Sequence, residues 1–326
     1  MFDKSIKILC TLGPSTFNKN FLNFAKGKIS LLRLNLSHVK INQLENIIKY
    51  LKKNSKIPLC IDTEGAQIRT KVKKKIKYKV GKTIKLYSNS KENFNLYPNY
   101  IFKKLRKGDQ LHIGFDDLEV KVVKIKDKYL LLKTTSEGLL ENNKGVHLHN
   151  RKIKLNYLTI KDHEAIKIAK KYNIKNFALS FTNSKEDIKK FNLILKKENK
   201  IYKIETKKAI KNIYSIIKEG KNFLIDRGDL SKETSIEKIP MIQRKIFKIS
   251  KKFKNKKIYI ATNLLESMIF NKYPTRGEAN DIYNSLEMGA SGLVLAAETA
   301  IGKFPKEAIK FLKKMIKSYQ NEKKYI

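Results

Sequence analysis

Polar residues that could carry out chemistry follow short apolar runs at several places along the chain. In chain order they are Arg33 to His38, Asp62-Thr63, Lys203 to Glu205, Asp226 to Asp229 and Thr262. Side chains of a strand point alternately to its two faces, so Arg33, Asn35 and Ser37 should project from one face. Lys203 and Glu205 should share a face for the same reason. The sequence therefore predicts that charged side chains of both signs gather at the ends of strands.

This mixture of carboxylates and cations favours metal-assisted chemistry on an anion. Glu205 and Asp229 come from neighbouring strands without a histidine or cysteine nearby, which favours a cation that prefers oxygen ligands, Mg2+ or Mn2+. Lys203 and Arg33 beside such a metal would form a clamp for a phosphoryl group or a carboxylate. Gly228 lets the main chain approach closely, and the helix start after it offers N–H groups to an anion. For each residue taken singly, an ordinary ion pair at a strand end stays open as the alternative.

A barrel of parallel strands is the scaffold that would bring such strand ends together. Short apolar runs alternate with lysine-rich amphipathic segments, a spacing typical of parallel strand–helix–strand units. The predicted strands are Ser5–Leu12, Ile29–Leu36, Ile57–Ile61, Phe177–Ser180, Ile201–Ile204, Phe223–Asp226, Ile258–Ala261 and Gly292–Ala296. Predicted helices include Ile41–Lys52, Ile160–Lys171, Ser184–Glu198, Pro240–Lys252 and Lys306–Gln320. We therefore predict an α/β fold, a (β/α)8 TIM barrel whose functional residues lie where strands end.

The pattern changes between the third and fourth of these strands. Short β segments with polar turns and little helical period follow one another at Thr83–Tyr87, Gln110–Ile113, Leu118–Ile125 and Tyr129–Thr134. This predicts a small, β-barrel-like lid domain at 71–148, inserted in a catalytic barrel formed by 1–70 and 149–326. Asp116-Asp117 is interpreted as a hairpin turn, with a nucleotide contact as the alternative.

The net charge of +42 in 326 residues raises the question of a nucleic-acid partner. The excess is nearly all lysine and is spread along the whole chain, so we expect a solvated basic surface and no nucleic-acid partner. No apolar stretch approaches the ~20 residues of a membrane span, and the first residues lack the apolar core of a signal peptide. Cys10 and Cys60 lie in apolar runs and are expected to be buried free thiols. These features predict a cytoplasmic protein without membrane association.

The same motifs, in the same order, resemble those of the pyruvate kinase family over nearly the whole chain. The similar strings are Lys7 to Ser15, Arg33-x-Asn35-x-Ser37-His38, Asp62-Thr63 with Ile68-Arg69-Thr70, Lys203-Ile204-Glu205, Arg227-Gly228-Asp229-Leu230 and Ala261 to Met268 with Pro274-Thr275-Arg276. The resemblance implies a barrel with a lid domain. It also implies transfer of a phosphoryl group from phosphoenolpyruvate to ADP, giving pyruvate and ATP.

The resemblance further implies a role for each matching residue. The catalytic residues would be Lys203, Arg33 and Thr262. The ligands of Mg2+ (or Mn2+) would be Glu205 and Asp229, and those of K+ would be Asn35, Ser37, Asp62 and Thr63. Substrate would be bound by Arg227, Gly228, Asp229 and Thr262, with main-chain amides around Arg227–Asp229 receiving its carboxylate. The nucleotide side would be formed by His38, Arg69 and Asn35.

Several features depart from the family pattern. Glu64 stands where the family has a lysine, and at short range it would repel a phosphate by about 1–4 kcal/mol. Gln67 replaces a carboxylate linked to K+ dependence, and Ala296 replaces a serine implicated in proton relay. The family's C-terminal domain is not found in these 326 residues, so we expect its effector site and part of the usual tetramer contacts to be missing. A homo-oligomer remains compatible with the sequence.

Two other functions are compatible with these residues. An enzyme could keep the metal and the enolate chemistry but use another phosphoryl acceptor or act as a lyase, which the changes at Glu64 and Ala296 would favour. A regulatory protein could keep the barrel without turnover. The retained charges argue against this regulatory function, because a chain without catalysis has no reason to gather them; they are Lys203, Glu205, Asp229 and Arg33.

Overall fold

A computed structural model describes residues 6–89, 92–114, 118–149, 151 and 153–322 of the chain. The chain divides into two compact units. The first, called here the barrel unit, extends up to Gly65 and resumes at Ile160, and the second, the inserted unit, runs from Ala66 to Thr159. Asp116 and Asp117, interpreted from the sequence as a hairpin turn, lie outside the described residues.

Eight parallel strands close into a barrel in the barrel unit, which confirms the fold class predicted from the strand–helix alternation. Numbered along the chain, they are β1 (Lys7–Thr11), β2 (Leu31–Asn35), β3 (Leu59–Asp62), β13 (Asn176–Leu179), β14 (Asn199–Ile204), β15 (Asn222–Asp226), β16 (Lys257–Ala261) and β17 (Gly292–Leu295). Their order around the barrel is β1-β17-β16-β15-β14-β13-β3-β2. Each strand therefore lies beside its neighbour in the unit's chain order, and all carboxyl ends meet at one rim.

The middle of the barrel is filled by side chains from all eight strands. This buried layer consists of Leu9, Leu31, Cys60, Ala178, Ile201, Leu224, Tyr259, Ala261 and Val294. Both cysteines are buried free thiols, as the sequence predicted, and burial raises the pKa of Cys10 to about 12. The barrel is thus a packed core that fixes the strand ends, and the thiols stay protonated at neutral pH.

Helices connect the strands and begin where the sequence supplies caps. Ser184 accepts a hydrogen bond from the Asp187 N–H at the start of one helix, and Thr275 with Glu278 forms a capping box at another. The helices are α1 (Lys19–Ala25), α2 (Ile41–Asn54), α3 (Ile160–Lys171), α4 (Lys185–Ile194), α5 (Lys207–Lys211), α6 (Ile213–Glu219), α7 (Arg227–Glu233), α8 (Ile239–Ser250), α9 (Arg276–Glu287), α10 (Ala297–Ala300) and α11 (Pro305–Glu322). Among the described residues, no helix is both long and apolar enough to cross a membrane.

The inserted unit is built from antiparallel strands with its own apolar core. The strands are β4 (Ile68–Val72), β5 (Ile76–Tyr78), β6 (Thr83–Tyr87), β7 (Phe94–Tyr97), β8 (Gln110–Ile113), β9 (Leu118–Ile125), β10 (Tyr129–Thr134), β11 (Gly138–Leu140) and β12 (Gly145–Leu148). Seven of them form a barrel-like sheet in the order β6-β10-β9-β8-β12-β4-β7, and β5 pairs with β11. On β9, Leu118, Val120 and Val122 are buried while Glu119 and Lys121 between them are exposed.

The inserted unit, Ala66 to Thr159, begins earlier and ends later in the chain than the range 71–148 expected from the sequence. Its first strand, β4 (Ile68–Val72), pairs with β7 and β12, so the chain has already entered the second sheet before residue 71. Beyond β12, the side chains of Ile153 and Leu155 still pack against the core of this sheet. The difference arises because pairing partners far along the chain, rather than local pattern, decide to which sheet a segment belongs.

Candidate functional site

The barrel brings most of the charged residues singled out in the sequence to the carboxyl ends of its strands. Arg33 lies on β2, Asp62 ends β3, Lys203 lies on β14 and Glu205 follows that strand directly. All four side chains are buried, which is rare for charged residues unless they are paired. These residues form one contact network at the strand ends of the barrel.

Arg33 is held by a carboxylate and a hydroxyl. Its Nε and Nη2 atoms lie 2.7 and 2.5 Å from Oδ2 of Asp62, and Nη1 donates to Oγ1 of Thr11 at 2.9 Å. Burial lowers the pKa of Arg33, but the carboxylates of Asp62 and Asp226 more than offset this, so the pKa lies above its ordinary value. The guanidinium is therefore a fixed positive charge at the barrel mouth.

Lys203 lies at the centre of the network. Its Nζ atom is 2.7 Å from Oε1 of Glu205, 3.3 Å from Oδ2 of Asp226 and 3.4 Å from Oδ2 of Asp62, and it donates to Oγ of Ser180 at 3.3 Å. Burial alone would lower the pKa of Lys203, but the three carboxylates raise it above its ordinary value. A second fixed cation thus lies in the same buried cluster as Arg33.

Three carboxylates beside Lys203 form a set of oxygen ligands. Glu205, Asp226 and Asp229 each offer an oxygen, and these oxygens lie within 4.8 Å of one another. The pKa of Glu205 is raised to about 8, first because burial disfavours its charged form and also because Asp226 and Asp229 lie near, while Lys203 opposes the shift. Oxygen-only donors of this kind suit Mg2+ or Mn2+. Asp226, which the sequence analysis did not assign to the metal, joins the two predicted ligands.

The loop after β16 has an unusual main-chain conformation beside this set. Thr262 and Asn263 have φ angles of 68° and 53°, a region that non-glycine residues rarely adopt. Oγ1 of Thr262 accepts a hydrogen bond from the Gly228 N–H at 2.7 Å and lies 3.4 Å from Oδ1 of Asp226. Such local strain is typical of functional sites. The hydroxyl of Thr262 is thereby fixed next to the carboxylate cluster.

The side chain of Arg227 stabilises this strained loop. Its Nε and Nη2 atoms donate to the carbonyl oxygen of Thr262 at 3.1 and 2.7 Å, and Nη2 also donates to that of Asn263 at 3.1 Å. Nη1 lies 2.7 Å from Oδ2 of Asp281 on α9. The guanidinium is thus occupied by protein groups, so a substrate contact at Arg227 would have to use its main chain.

The four residues predicted to bind K+ lie at the ends of β2 and β3. Asn35 is in register with Asp62, and Oδ1 of Asn35 accepts a hydrogen bond from the Ser37 N–H at 3.0 Å. The hydroxyl of Ser180, at the end of β13, lies 2.7 Å from the carbonyl oxygen of Thr63 and 3.2 Å from Oδ1 of Asp62. Ser180 therefore joins this group, although the sequence analysis did not single it out.

Glu64 is buried and paired. Its carboxylate lies 2.6 Å from Nζ of Lys161, and that ammonium also donates to the carbonyl oxygen of Leu36 at 2.6 Å. The main-chain N–H groups of Glu64 and Gly65 donate to the two carboxylate oxygens of Asp162 at 2.7 and 3.1 Å. The negative charge of Glu64, expected to repel phosphates, is thus matched by a neighbouring ammonium.

Three further candidates from the sequence lie elsewhere along the chain. His38 is exposed at the end of a short 3-10 helix, Leu36–His38, in the barrel unit. Arg69 lies on β4 of the inserted unit, where its Nη1 donates to the carbonyl oxygen of Asn143 at 3.1 Å. Ala296 follows β17, and its N–H donates to Oε2 of the buried Glu298 at 2.7 Å.

Sequence reasoning did not assign the roles of two residues of the network, Asp226 and Ser180, for different reasons. Asp226 stands in the Asp226-Arg227-Gly228-Asp229 string, and its place as the last residue of a strand was a usable signal. Ser180 has no charged neighbour in sequence that would mark it, and its contacts with Asp62 and Lys203 span 118 and 23 residues. The barrel alone brings it into the cluster.

Comparison with known proteins agrees with this geometry. The family model described as pyruvate kinase, barrel domain, matches residues 3–309. A pyruvate kinase of Thermotoga maritima is 33% identical over 98% of this chain and 72% of its own length. A pyruvate kinase of Methanocaldococcus jannaschii is 36% identical over 96% of this chain and 69% of its own length. One of Borreliella burgdorferi is 31% identical, with coverages of 99% and 70%. On these matches, the chain belongs to the pyruvate kinase family.

Proposed function

We propose that this chain is a phosphotransferase that moves the phosphoryl group of phosphoenolpyruvate to ADP, giving pyruvate and ATP. The observation that carries this proposal is the buried network in which Lys203 contacts Asp62, Glu205 and Asp226. It joins two fixed cations to a set of oxygen ligands for a divalent metal. Membership of the pyruvate kinase family supports the same reaction.

Lys203 and Arg33 would stabilise the negative charge of the phosphoryl group during transfer. Catalysis of phosphoryl transfer rests mainly on positioning and on electrostatic stabilisation. Both cations are already oriented by Asp62, so little reorganisation is needed when the anion arrives. Their raised pKa values keep both side chains charged throughout the physiological pH range.

Glu205, Asp226 and Asp229 would hold Mg2+ or Mn2+. The oxygens of these three carboxylates lie within 4.8 Å of one another, a spacing that a single divalent cation can bridge. When bound, the ion supplies positive charge that offsets the charge on the phosphoryl and enolate oxygens. Lys203, which contacts two of the ligands, would fix their orientation.

Thr262 and the neighbouring main chain would contact the methylene carbon and the carboxylate of the substrate. The bond from phosphorus to the enol oxygen breaks as the ADP oxygen bonds to phosphorus, and the remaining enolate takes up a proton at its methylene carbon. The hydroxyl of Thr262 would lie near that carbon, and main-chain amides of Arg227 to Asp229 would receive the substrate carboxylate. Thr262 has a positive φ, and Arg227 donates a hydrogen bond to its carbonyl oxygen. Both features support the proposal that the Thr262 hydroxyl is held in a fixed position beside the substrate.

K+ would be bound at the ends of β2 and β3. His38, Arg69 and Asn35 are the proposed nucleotide contacts. Asn35, Ser37, Asp62 and Thr63 offer amide, hydroxyl, carboxylate and carbonyl oxygens, a donor set suited to a hard cation such as K+. The pairing of Glu64 with Lys161 removes one reason to prefer an acceptor other than a nucleoside diphosphate.

The proposal is tested by measuring pyruvate formation from phosphoenolpyruvate with Mg2+ across several nucleoside diphosphates, with and without K+. Turnover that saturates with a diphosphate is the expected result, and the response to K+ reports on the proposed K+ site. Failure of turnover with every diphosphate, combined with Mg2+-dependent proton exchange at the methyl group of pyruvate, would instead indicate a different acceptor.

A further inference from the structure

A second cluster of metal-binding side chains lies on the inserted unit. The chain has five histidines, and three of them, His112, His147 and His149, lie close together at β8 and at the end of β12. The sequence spacing of these residues does not suggest a metal site, because His112 is far from the other two. The cluster is a product of strand pairing.

The register of three strands places the side chains on one face. His112 on β8 is opposite Glu119 on β9 and opposite His147 on β12. His149 extends β12, and its N–H donates to the carbonyl oxygen of Gln110 at 3.1 Å. The other face of these strands carries buried core residues, namely Leu111, Ile113, Leu118, Val120 and Val146. The cluster therefore lies on strands whose opposite face is packed in the core, which fixes their position.

The distances between the donor atoms of His112, Glu119 and His149 are close to those between the ligands of a metal ion. Nδ1 of His112 lies 3.7 Å and Nε2 of His149 lies 4.0 Å from the same Oε1 atom of Glu119. One donor atom from each residue lies within 4.8 Å of the others. Around a tetrahedral Zn2+ with bonds of about 2.0–2.2 Å, ligand atoms are roughly 3.3–3.5 Å apart. The side chains are 22%, 48% and 53% exposed, so they have room for the small rotations required.

We propose that His112, Glu119 and His149 bind a divalent transition-metal ion, with Zn2+ as the favoured ion. Imidazole nitrogen suits Zn2+, Ni2+ and Cu2+, whereas Mg2+ takes oxygen ligands. The donor set of two nitrogens and one oxygen therefore disfavours Mg2+, which is proposed to bind at Glu205, Asp226 and Asp229. Three protein ligands leave a coordination position for water. A bound ion links β8, β9 and β12 and stabilises the inserted unit.

Calorimetric titration of Zn2+ into the full chain, with Mg2+ in excess to occupy oxygen-only sites, tests this site directly. His112→Gln and His149→Gln should each weaken binding by about tenfold or more, because even the loss of a group supporting a ligand costs about 10–100-fold. His163→Gln is the matched control, since His163 is an exposed histidine on α3, and it should bind as the wild type does. Circular dichroism checks that each variant is folded.

Two further measurements separate the site from adventitious binding. Co2+ should give the visible absorption of a nitrogen-ligated ion, and this signal should be lost in His112→Gln/His149→Gln. Excess Mg2+ should not displace the bound Zn2+, because Mg2+ takes oxygen ligands. Equal Zn2+ affinity in the wild type and the double variant would overturn the proposal, as would displacement of Zn2+ by Mg2+. None of these readouts depends on catalytic turnover.

Discussion

The carboxylate of Glu64 lies 2.6 Å from the ammonium of Lys161, 97 residues further along the chain. The same ammonium donates to the carbonyl oxygen of Leu36, so it connects the segments that follow β2 and β3 with the start of α3. Asp162, the next residue, accepts hydrogen bonds from the main chain of Glu64 and Gly65. A charge that looked unfavourable in the sequence is therefore part of a paired, buried contact.

Lys161→Met removes the ammonium that pairs with the buried Glu64 carboxylate. We expect the free energy of unfolding to fall by about 1–3 kcal/mol, the usual cost of an uncompensated buried polar group, and the KM for ADP to rise. Urea denaturation and steady-state kinetics measure the two effects. Glu64→Gln/Lys161→Met should recover part of both losses, and Lys167→Met, an exposed position on the same helix, should show neither. A double variant as impaired as Lys161→Met would contradict the pairing.

Asp226→Asn should weaken metal binding while the barrel stays folded. The residue offers one of the three clustered carboxylate oxygens, and loss of a charged ligand should lower Mn2+ affinity by about tenfold or more. Titration of Mn2+ followed by electron paramagnetic resonance measures this without any turnover. Glu219→Gln, an exposed carboxylate on α6, is the control. Unchanged Mn2+ affinity in Asp226→Asn would remove this residue from the proposed ligand set.

Metal affinity should rise with pH because Glu205 must lose a proton to bind. Its pKa is raised to about 8 in the metal-free protein, so between pH 6 and pH 8 the affinity for Mg2+ should increase by up to about tenfold per pH unit. The native state binds this proton more tightly than the unfolded chain, whose glutamates titrate near pH 4.3. Its stabilising contribution is therefore present below that pH and is lost as pH rises towards 8. Mg2+ titrations across pH, with Glu205→Gln as control, measure the effect, and a flat profile in the wild type would contradict it.

Gly228→Ala tests whether the substrate carboxylate binds close to the main chain at Gly228. An added Cβ would lie 3.4 Å from Oγ1 of Thr262, an ordinary contact, so the variant should fold with near-normal stability. We expect a higher KM for phosphoenolpyruvate, because the methyl group would occupy space needed by the substrate carboxylate. Gly277→Ala on α9 serves as the control, because its added Cβ would only make an ordinary contact of 3.9 Å with Oγ1 of Thr275. Unchanged KM in Gly228→Ala would place the carboxylate elsewhere.

The barrel could be predicted from the sequence because each of its strands is a short apolar run bounded by amphipathic helices. The strands β4 and β5 were harder, because lysines crowd the segment from Arg69 to Tyr78 and hide the alternation of buried and exposed residues. Their assignment depends on partners such as Asn95 on β7 and Leu139 on β11, which lie far along the chain. Local pattern therefore predicted the barrel more fully than the inserted unit.

In the candidate site too, contacts between residues close in sequence could be predicted, and contacts between residues far apart in sequence could not. Lys203 and Glu205 could be placed together because they are two residues apart on one strand and its continuation. The contacts of Ser180 and Lys161 and the closeness of His112 to His149 could not be predicted. Each joins residues from different strands or helices, whose register no local motif encodes. Contacts of that kind become visible only once the strands are aligned.

The most direct test of the account is pyruvate formation from phosphoenolpyruvate, ADP and Mg2+ by the wild type and by Lys203→Met. Lys203 contacts the carboxylates of both the metal set and Asp62, so its loss should slow phosphoryl transfer by about a hundredfold or more, as loss of a key charge-stabilising donor does. Lys313→Met, an exposed position on α11, should retain wild-type turnover. Turnover in Lys203→Met within a few-fold of the wild type, with folding intact, would contradict the central claim.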